Sequence, residues 1–200
     1  MGLADYRRCV AALYAAARDE RVPAEQRWLA WRAGRDRLFR EHPQSALDEG
    51  QRKNFGGLQV FPWNPALRLL CDVEALRDQE ILEMELQDDG ITRLSRFGRV
   101  HFRVHGEACS LSLYWLRGYG GGLFLPFRDA TNGRQTYGGG RYLLDTIKHA
   151  DLGEVGGKLV LDFNFAYNPS CAYNPRWHCP LAPAENWLKV AVLAGEKAFA

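Results

Sequence analysis

The feature that most restricts the fold of this chain is a series of short segments in which apolar and polar residues alternate. This period of two runs through residues 82–87, 99–105 and 109–115, and turn residues such as Gly90 and Gly106 separate the segments. A period of two places successive side chains on opposite faces of a strand. Short strands about ten residues apart, with turns between them, are typical of an antiparallel sheet. We therefore expect an antiparallel meander in the middle of the chain.

The first 43 residues follow a different period. Pro23 can begin a helix, because the first helical position tolerates proline. His42 can end one, because a residue before proline disfavours the helical conformation. Apolar residues at steps of three and four predict one helix before Pro23 and one after it. These residues are Leu3, Tyr6, Val10, Leu13, Tyr14 and Ala17, followed by Trp28, Trp31, Leu38 and Phe39.

Together these patterns predict an α+β fold, which is mainly an antiparallel β-sheet or a barrel-like meander with two N-terminal helices. We expect a single domain over residues 1–200. Its helical part covers residues 1–43, and its mainly β part covers residues 55–200 and carries the candidate site. Later strands are expected at residues 123–127, 158–166 and 187–193.

Composition limits the classes of function. Hydrophobic residues make up 46% of the chain and charged residues 25%, as in ordinary globular proteins. The net charge of +2 gives no electrostatic reason to expect a nucleic-acid or membrane partner. The first residues lack the apolar core of a signal peptide, so we expect a cytoplasmic location. The five cysteines, an odd number, then favour free thiols over disulfides.

A first candidate site lies near the end of the 158–166 segment. Asp162 and Asn164 are two residues apart, so on a strand both would project from the face opposite Phe163. A carboxylate and an amide on one face can bind a metal, a hydroxyl group or a cation, and a carboxylate can act as a general acid or base. The alternative interpretation is that Asp162 accepts backbone N–H groups of the loop that follows.

A second candidate site contains Cys171, His178 and Cys179. Thiolate and imidazole are ligands that zinc prefers, so these three residues are candidate ligands of zinc or another transition metal. Their spacing is not that of a zinc knuckle. Other interpretations therefore stay open: buried free thiols that hold the loop in place, a reactive thiol, or a redox pair.

A third candidate is the glycine-bearing loop at residues 128–142. Three consecutive glycines allow the backbone to approach a ligand closely, and Arg141 directly after them would place a guanidinium beside it. This arrangement suits a carboxylate or a phosphate group. The alternative interpretation is a hairpin tip in which Arg141 pairs with Asp129 as a structural clamp.

Short motifs lie at residues 55–58, 96–98, 123–131, 136–142, 162–164, 166–169, 171–173, 179–180, 183 with 186, and 194–196. Taken in combination, they resemble an uncharacterised prokaryotic family, which is catalogued as domain of unknown function 1684. The resemblance implies a shared fold and a shared pocket, and it implies no activity. This chain departs from the family pattern at Ala46, where proline is frequent, and at Phe165, where a basic residue is frequent.

The chemistry of these residues predicts an enzyme that acts on a small anionic metabolite, in a pocket built from the 123–142 and 159–186 segments. In this hypothesis Arg141 holds the anion, and Asp162 or Asp129 is the general acid or base. The candidate catalytic residues are Asp162, Asp129 and Tyr137. The candidate binding residues are Arg141, Asn164, Tyr167, Asn168 and Thr131.

Three other functions are compatible with the same residues. A flavin enzyme is one, because small antiparallel barrels with basic loops can hold a flavin phosphate. A non-catalytic module that binds a small molecule is the second, and a structural or assembly protein is the third. The expected partner is a small-molecule ligand, with no nucleic acid and no membrane.

Overall fold

A helical hairpin and two antiparallel sheets make up residues 2–77 and 79–199, which are the residues that this computed structural model describes. This α+β architecture, mainly antiparallel with two N-terminal helices, confirms the predicted fold class. The helices are α1 (Gly2–Ala17), α2 (Ala24–Glu41) and α3 (Glu49–Lys53). The strands are β1 (Arg68–Cys71), β2 (Val73–Ala75), β3 (Ile81–Glu85), β4 (Ile91–Val104), β5 (Glu107–Arg117), β6 (Gly122–Phe127), β7 (Arg141–Asp145), β8 (Glu154–Val155) and β9 (Lys158–Asp162).

The helical hairpin, formed by α1 and α2, has the predicted limits. Pro23 directly precedes α2, and His42 after it has the extended backbone expected of a residue before proline. The two helices approach closely at Gly34, where a β-carbon would lie 2.2 Å from Cδ2 of Leu13. A larger residue at Gly34 would therefore require the Leu13 side chain to move.

The larger sheet has the strand order β2-β4-β5-β6-β7, and β3 also pairs with β4. The long β4–β5 hairpin lies at its centre and turns at His105 and Gly106, both of which have positive φ. Val100 and Leu111 face each other across this hairpin and are fully buried, as the period of two predicts. The strand order is open, so the described residues form a sheet and not a closed barrel.

The smaller sheet has the antiparallel order β1-β9-β8. The strand predicted over residues 158–166 is shorter than expected, because the Asp162 side chain accepts the backbone N–H of Asn164 and begins a 3₁₀ turn. This turn directs Phe163 into the core between the sheets and Phe165 against the helical hairpin. On a regular strand these two phenylalanines, which are two residues apart, would share one face. The turn places them in different clusters instead.

Other local predictions were also wrong. Residues 187–193 form no strand; Trp187 makes a single parallel bridge with Arg128. Residues 44–57, for which no helix or strand was predicted, contain α3, and a capping box between Asp48 and Gln51 begins this helix. The short strands β1, β2 and β8 and the strand β7 were not predicted, because none has a clear period of two.

Two main apolar clusters hold these elements together. One cluster lies between the two sheets. It includes Leu161 of β9, Leu67 directly before β1, and Val100 of β4 in the larger sheet. The other joins the helical hairpin to the larger sheet and includes Trp31 and Phe124. Neither α1, α2 nor α3 has the length and hydropathy needed to cross a bilayer.

Candidate functional site

The residues predicted to form one site lie in several different places. Asp129, Thr131 and Arg141 form a buried cluster at the loop before β7. Asp162 and Asn164 form a second cluster at the end of β9. Tyr167, Asn168, His178 and Cys179 line a cavity beside the helical hairpin, and Tyr137 contacts Cys171 close to this cavity.

The cluster at Asp129 and Arg141 is a buried ion pair. Neither side chain has any solvent exposure, and Arg141 Nη2 donates to Asp129 Oδ2. The same guanidinium donates to the carbonyl groups of Val192, Ala194 and Glu196. Burial lowers the pKa of Arg141, against the opposing effect of Asp129. This geometry is that of the structural clamp, which ties the 128–142 loop to the last part of the chain.

Thr131 and Asp129 also bond to each other within the clamp. The backbone N–H of Thr131 donates to Asp129 Oδ1 at 2.6 Å, and the Thr131 hydroxyl bonds to Thr136 at 2.8 Å. The Asp129 carboxylate therefore has partners at both oxygens. The clamp has no exposed face toward a ligand in this conformation.

Asp162 and Asn164 form a second network of internal bonds. Asp162 Oδ1 accepts the backbone and side-chain N–H groups of Asn164 at 3.0 and 2.8 Å. The Asn164 amide in turn exchanges two bonds with the backbone of Asn64. Burial raises the pKa of Asp162 to about 6. The adjoining gap of about 10 Å³ has room for at most one water molecule, so this pair joins β9 to the Asn64 segment.

The best-formed candidate site is a cavity of about 290 Å³ between the helical hairpin and the segment that follows β9; we refer to it as the helix–loop cavity. This volume is at the lower end of the range for small-molecule sites. Six aromatic rings and three basic side chains contribute to its wall. The lining residues are Leu3, Tyr6, Arg7, Val10, Tyr14, Arg35, Phe39, Gln44, Ala46, Lys148, Ala150, Tyr167, Asn168, Ser170, Tyr173, Trp177, His178 and Cys179.

The wall of the helix–loop cavity contains three basic side chains, two of which have acidic partners outside the lining: Glu196 for Arg35 and Asp145 for Lys148. Arg7, Arg35 and Lys148 belong to it, whereas none of the described lining residues is an aspartate or a glutamate. Arg35 is the most deeply placed of the three: its Nε donates to Glu196 at 2.6 Å, and its side chain is 12% exposed. The charge of Glu196 raises the pKa of Arg35, although burial opposes this shift.

Aromatic rings hold Arg35 in place. Its guanidinium carbon lies 4.9 Å from the ring centre of Phe39 and 5.0 Å from that of Tyr167, which are distances typical of cation–π contacts. Arg35 Nη2 also donates to the Tyr173 hydroxyl at 3.3 Å, while Nη1 has no hydrogen-bond partner among residues 2–77 and 79–199. The Arg35 guanidinium is thus held in place at the cavity wall, and its Nη1 has no hydrogen bond to the described residues.

Three wall residues carry a buried polar atom without a partner in the described chain: the hydroxyls of Tyr14 and Tyr167, and Oδ1 of Asn168. Buried polar groups in native proteins are nearly always hydrogen-bonded. Burial raises the pKa of Tyr14 and of Tyr167, so both hydroxyls stay protonated and can donate. None of the three atoms has accessible surface, so they lie behind the wall and a ligand in the cavity would reach them only after a side chain moves.

Sequence reasoning missed the residues that fix this charge. Glu196 is buried and accepts bonds from Arg35, from the Tyr173 hydroxyl and from the backbone N–H of Asn168. One signal was available: Arg35 lies four residues after Trp31 and four before Phe39, so an arginine occupies the apolar stripe of α2. A charge at such a position needs a buried partner.

The cysteine cluster differs from the prediction. Among the described residues, no three Cys, His, Asp or Glu side chains are grouped closely enough to hold a metal ion, so Cys171, His178 and Cys179 do not form the predicted zinc set. His178 instead faces Asp89, with 3.6 Å between Nδ1 and Oδ2. Cys171 and Cys179 are both free and partly exposed, and Tyr137 donates to Cys171 Sγ at 3.6 Å. The flavin alternative depended on a barrel and gains no support from the open sheets.

A second cavity, of about 550 Å³, shares Asn168 and Tyr173 with the helix–loop cavity. Its described charged residues are one acid and one base, Glu196 and Lys197, and Glu196 is already bonded to Arg35. This wall thus has one basic residue, whereas the helix–loop cavity has three. The helix–loop cavity is therefore the stronger candidate for an anionic ligand.

Comparison with known proteins agrees with the motifs. The family model described as "Protein of unknown function (DUF1684)" matches residues 53–197. The chain belongs to the DUF1684 family. The predicted resemblance is thus confirmed, and the matched part of this DUF1684 protein contains the clamp, Glu196 and both cysteines of the cavity region.

One solved structure similar to this DUF1684 protein is an uncharacterized protein of Haloarcula marismortui, determined in solution by NMR. It is 38% identical, with a TM-score of 0.62, and the match covers 86% of this chain and 93% of that chain. A search of curated proteins found no significant match. The relative therefore supports the shared fold.

Proposed function

We propose that this DUF1684 protein binds a small anionic molecule with a planar or apolar body in the helix–loop cavity. The observation that carries this proposal is the combination of three basic wall residues, no acidic ones among the described lining residues, and an otherwise largely aromatic and apolar wall. Charged and polar groups placed in an otherwise apolar pocket are what fixes the orientation of a small ligand.

The anionic group of the ligand would lie at the basic side chains. Arg7 comes from α1 and Arg35 from α2, and Lys148 lies just after β7, so charges from three elements converge on one space. Carboxylate and phosphate groups are the anions that guanidinium groups bind best, because both accept two parallel hydrogen bonds. Arg35 already has Glu196 as a partner and Lys148 has Asp145, so a ligand of this class would share these two charges and would give Arg7 the anionic partner that it lacks among the described residues.

The body of the ligand would contact aromatic rings. Phe39, Tyr167 and Tyr173 surround the inner part of the wall, and Trp177 adds a ring that is 37% exposed. Flat apolar groups pack well against such rings. The cavity volume of about 290 Å³ limits the ligand to a small metabolite or to one end of a larger molecule.

Titration calorimetry with matched probes tests the proposal. Phenyl phosphate and benzoate combine an aromatic ring with an anion, and benzyl alcohol is a neutral counterpart. We expect both anions to bind the wild-type protein and benzyl alcohol to bind much more weakly, because only the anions are attracted to the basic wall.

The variants Arg7→Gln and Arg8→Gln form a matched pair on α1. Arg7 lines the cavity, whereas Arg8 lies outside it with a side chain that is 68% exposed. We expect Arg7→Gln to weaken phenyl phosphate binding about tenfold, which corresponds to about 1.4 kcal/mol, and Arg8→Gln to leave it unchanged. Equal effects of the two variants, or no binding of either anion, would overturn the proposal.

An enzymatic function in this cavity needs a reactive group in its wall. Cys179 provides a candidate, because it lines the cavity and its thiol is free. This favours a thiol-dependent reaction as the second candidate function.

A further inference from the structure

The second cavity, of about 550 Å³, is lined mainly by two parts of the chain, within residues 50–59 and 196–199; we refer to it as the C-terminal cavity. Its volume is well within the range for small-molecule sites. The backbone N–H of Lys197 donates to the Gln59 carbonyl at 2.8 Å, and that of Phe61 donates to the Gly195 carbonyl at 2.9 Å. Backbone hydrogen bonds thus join the two parts of the chain that form this cavity.

Motifs that the proposed function does not use meet at the C-terminal cavity. The motif at residues 55–58 lines it over its whole length, and Glu196 of the motif at residues 194–196 lines it as well. These are the first and the last of the motifs that resemble the DUF1684 family. The fold therefore brings both ends of the motif series to one cavity.

The backbone at Gly56 and Gly57 is a bare part of the wall. A β-carbon at Gly56 would have no atom within 4 Å, and Gly57 has a φ of +112°, in the region that favours glycine. The N–H groups of both residues have no hydrogen-bond partner among residues 2–77 and 79–199. Both are therefore free to donate to a ligand.

Carboxamide groups add donors and acceptors to the same wall. Gln51 is used by the fold, because its Nε2 donates to the Tyr173 carbonyl at 2.6 Å. Asn54 donates through Nδ2 to the Gly50 carbonyl at 3.1 Å, which leaves its Oδ1 free to accept. The Gln59 side chain is exposed and has no hydrogen bond to the described residues. Asn54 and Gln59 together thus offer two acceptors and one donor group to a ligand.

The charges of this wall favour an uncharged ligand. Glu196 is the one acid among the described lining residues, and both of its oxygens already have partners within the protein, Arg35 among them. Lys197 is the one base, and its Nζ lies 4.9 Å from the ring centre of Phe61. A cationic ligand would find no free carboxylate, and an anion would find one ammonium group where the helix–loop cavity has three bases.

An aromatic surface lies beside these polar groups. Phe199 is partly exposed, and its ring packs edge-to-face against Tyr173, with 5.3 Å between the ring centres. Both rings line the C-terminal cavity. Apolar surfaces pack well on aromatic rings, and a hydroxyl group both donates and accepts hydrogen bonds, as a carboxamide does. A sugar ring combines an apolar C–H face with several hydroxyl groups.

We propose that the C-terminal cavity is a second binding site, which takes a neutral sugar. The sugar hydroxyls would bond to the N–H groups of Gly56 and Gly57, to Asn54 Oδ1 and to the Gln59 carboxamide, and the C–H face of the sugar would lie on Phe199. The cavity volume of about 550 Å³ is sufficient for a monosaccharide or a disaccharide.

A titration followed by NMR of the backbone amides tests this proposal, because it detects weak binding and also locates it. The probes are glucose, galactose, N-acetylglucosamine and maltose, with inorganic phosphate as an anionic counterpart. We expect at least one sugar to shift the amide signals of Gly56, Gly57 and Lys197 and to leave the signal of Arg7 on α1 unchanged. If no sugar of this panel shifts these signals, or if phosphate alone does, the proposal is overturned.

The variants Gln59→Ala and Gln135→Ala form a matched pair. The Gln59 carbonyl accepts the N–H of Lys197 and the Gln135 carbonyl accepts that of Ala198, so both exposed glutamines hold the same segment through their backbone. Gln59 lines the cavity, whereas Gln135 does not. We expect Gln59→Ala to weaken sugar binding about fivefold, as the loss of one hydrogen bond does, and Gln135→Ala to leave it unchanged. Equal effects would contradict the proposed contacts.

The variant Lys197→Gln distinguishes a sugar from an anion. It removes the charge and keeps a donor, so sugar binding should persist, whereas phosphate held by the ammonium group would be lost. Loss of sugar binding in Lys197→Gln, together with full binding in Gln59→Ala, would overturn the proposal. Phenyl phosphate should instead shift the signals of α1, so the anion site of the proposed function and the sugar site can fail separately.

Discussion

Arg141 and Asp129 form an ion pair from which solvent is wholly excluded, and the same guanidinium holds three carbonyl groups of residues 192–196. Loss of one member of such a pair leaves the other charge buried without compensation, which costs far more than loss of an exposed pair. This relationship makes the 128–142 loop a structural element and separates it from the helix–loop cavity.

Asp129→Ala should lower the free energy of unfolding by about 3–5 kcal/mol, because Arg141 would stay buried without its partner. Arg93→Ala is a suitable control, since Arg93 and Glu83 form a pair with side chains more than half exposed and contribute about 1 kcal/mol or less. Chemical denaturation measures both effects. An Arg141 variant that stays stable but no longer binds phenyl phosphate would instead support the anion-holding role predicted from the sequence.

Asp162 should make stability depend on pH in an unusual direction. Burial raises its pKa from 3.8 to about 6 in the folded protein, so the folded state holds this proton more tightly than the unfolded state. The resulting stabilisation is complete below about pH 4 and is lost as the pH rises to about 6, up to about 3 kcal/mol. Asp162→Asn should remove this contribution. Parallel stability curves of the two proteins from pH 4 to pH 7 would contradict the prediction.

Gly195 and Gly133 form a matched pair for backbone strain, with φ angles of +74° and +75°. A β-carbon at Gly133 would have no neighbour within 4 Å, whereas one at Gly195 would lie 2.5 Å from the Ala166 carbonyl oxygen. Gly133→Ala should therefore lower the free energy of unfolding by about 1–2 kcal/mol, because the only penalty is a β-carbon on a left-handed backbone. Gly195→Ala should cost clearly more and displace Glu196 beside it. Thermal unfolding of the two variants measures the difference, and equal losses would show that the contact at Gly195 relaxes freely.

Tyr167→Phe and Tyr173→Phe should have opposite consequences. The Tyr173 hydroxyl donates to Glu196 and accepts from Arg35, so its loss should cost about 1.5–3 kcal/mol of stability. The Tyr167 hydroxyl is buried without a partner in the described chain, so its removal should leave stability unchanged or raise it. Because this hydroxyl has no accessible surface, Tyr167→Phe should also leave phenyl phosphate binding unchanged. A clear loss of affinity would show that the side chain turns toward the cavity when the ligand binds.

Much of the fold could be predicted from the sequence, because the burial of apolar residues has a local period. The steps of three and four before His42 and the period of two in β4 and β5 each describe one element and its buried face. Where an element depends on a side chain instead, the prediction was wrong. β9 ends because Asp162 caps the turn after it, and no apolar period carries that information.

The candidate site was harder to predict, because its parts are distant in sequence. Cys179 and Asn168 were identified, and so was the segment around them, but Arg35 on α2 faces them only after the helical hairpin packs on the sheet. Arg141 misled the prediction for a related reason. An arginine after three glycines suits either an anion or a buried partner, and only the fold brings residues 192–196 to its guanidinium.

The walls of the helix–loop cavity come from opposite ends of the chain, with α1 and α2 on one side and residues 167–179 on the other. A molecule bound between them would contact both sides, and its binding free energy would add to the contacts that hold the helical hairpin on the sheet. Such peripheral elements open locally more often than a whole protein unfolds. Ligand binding in the cavity would then slow the exchange of the α1 amide hydrogens with water. The rate at which the helical hairpin opens locally would therefore depend on the concentration of the ligand.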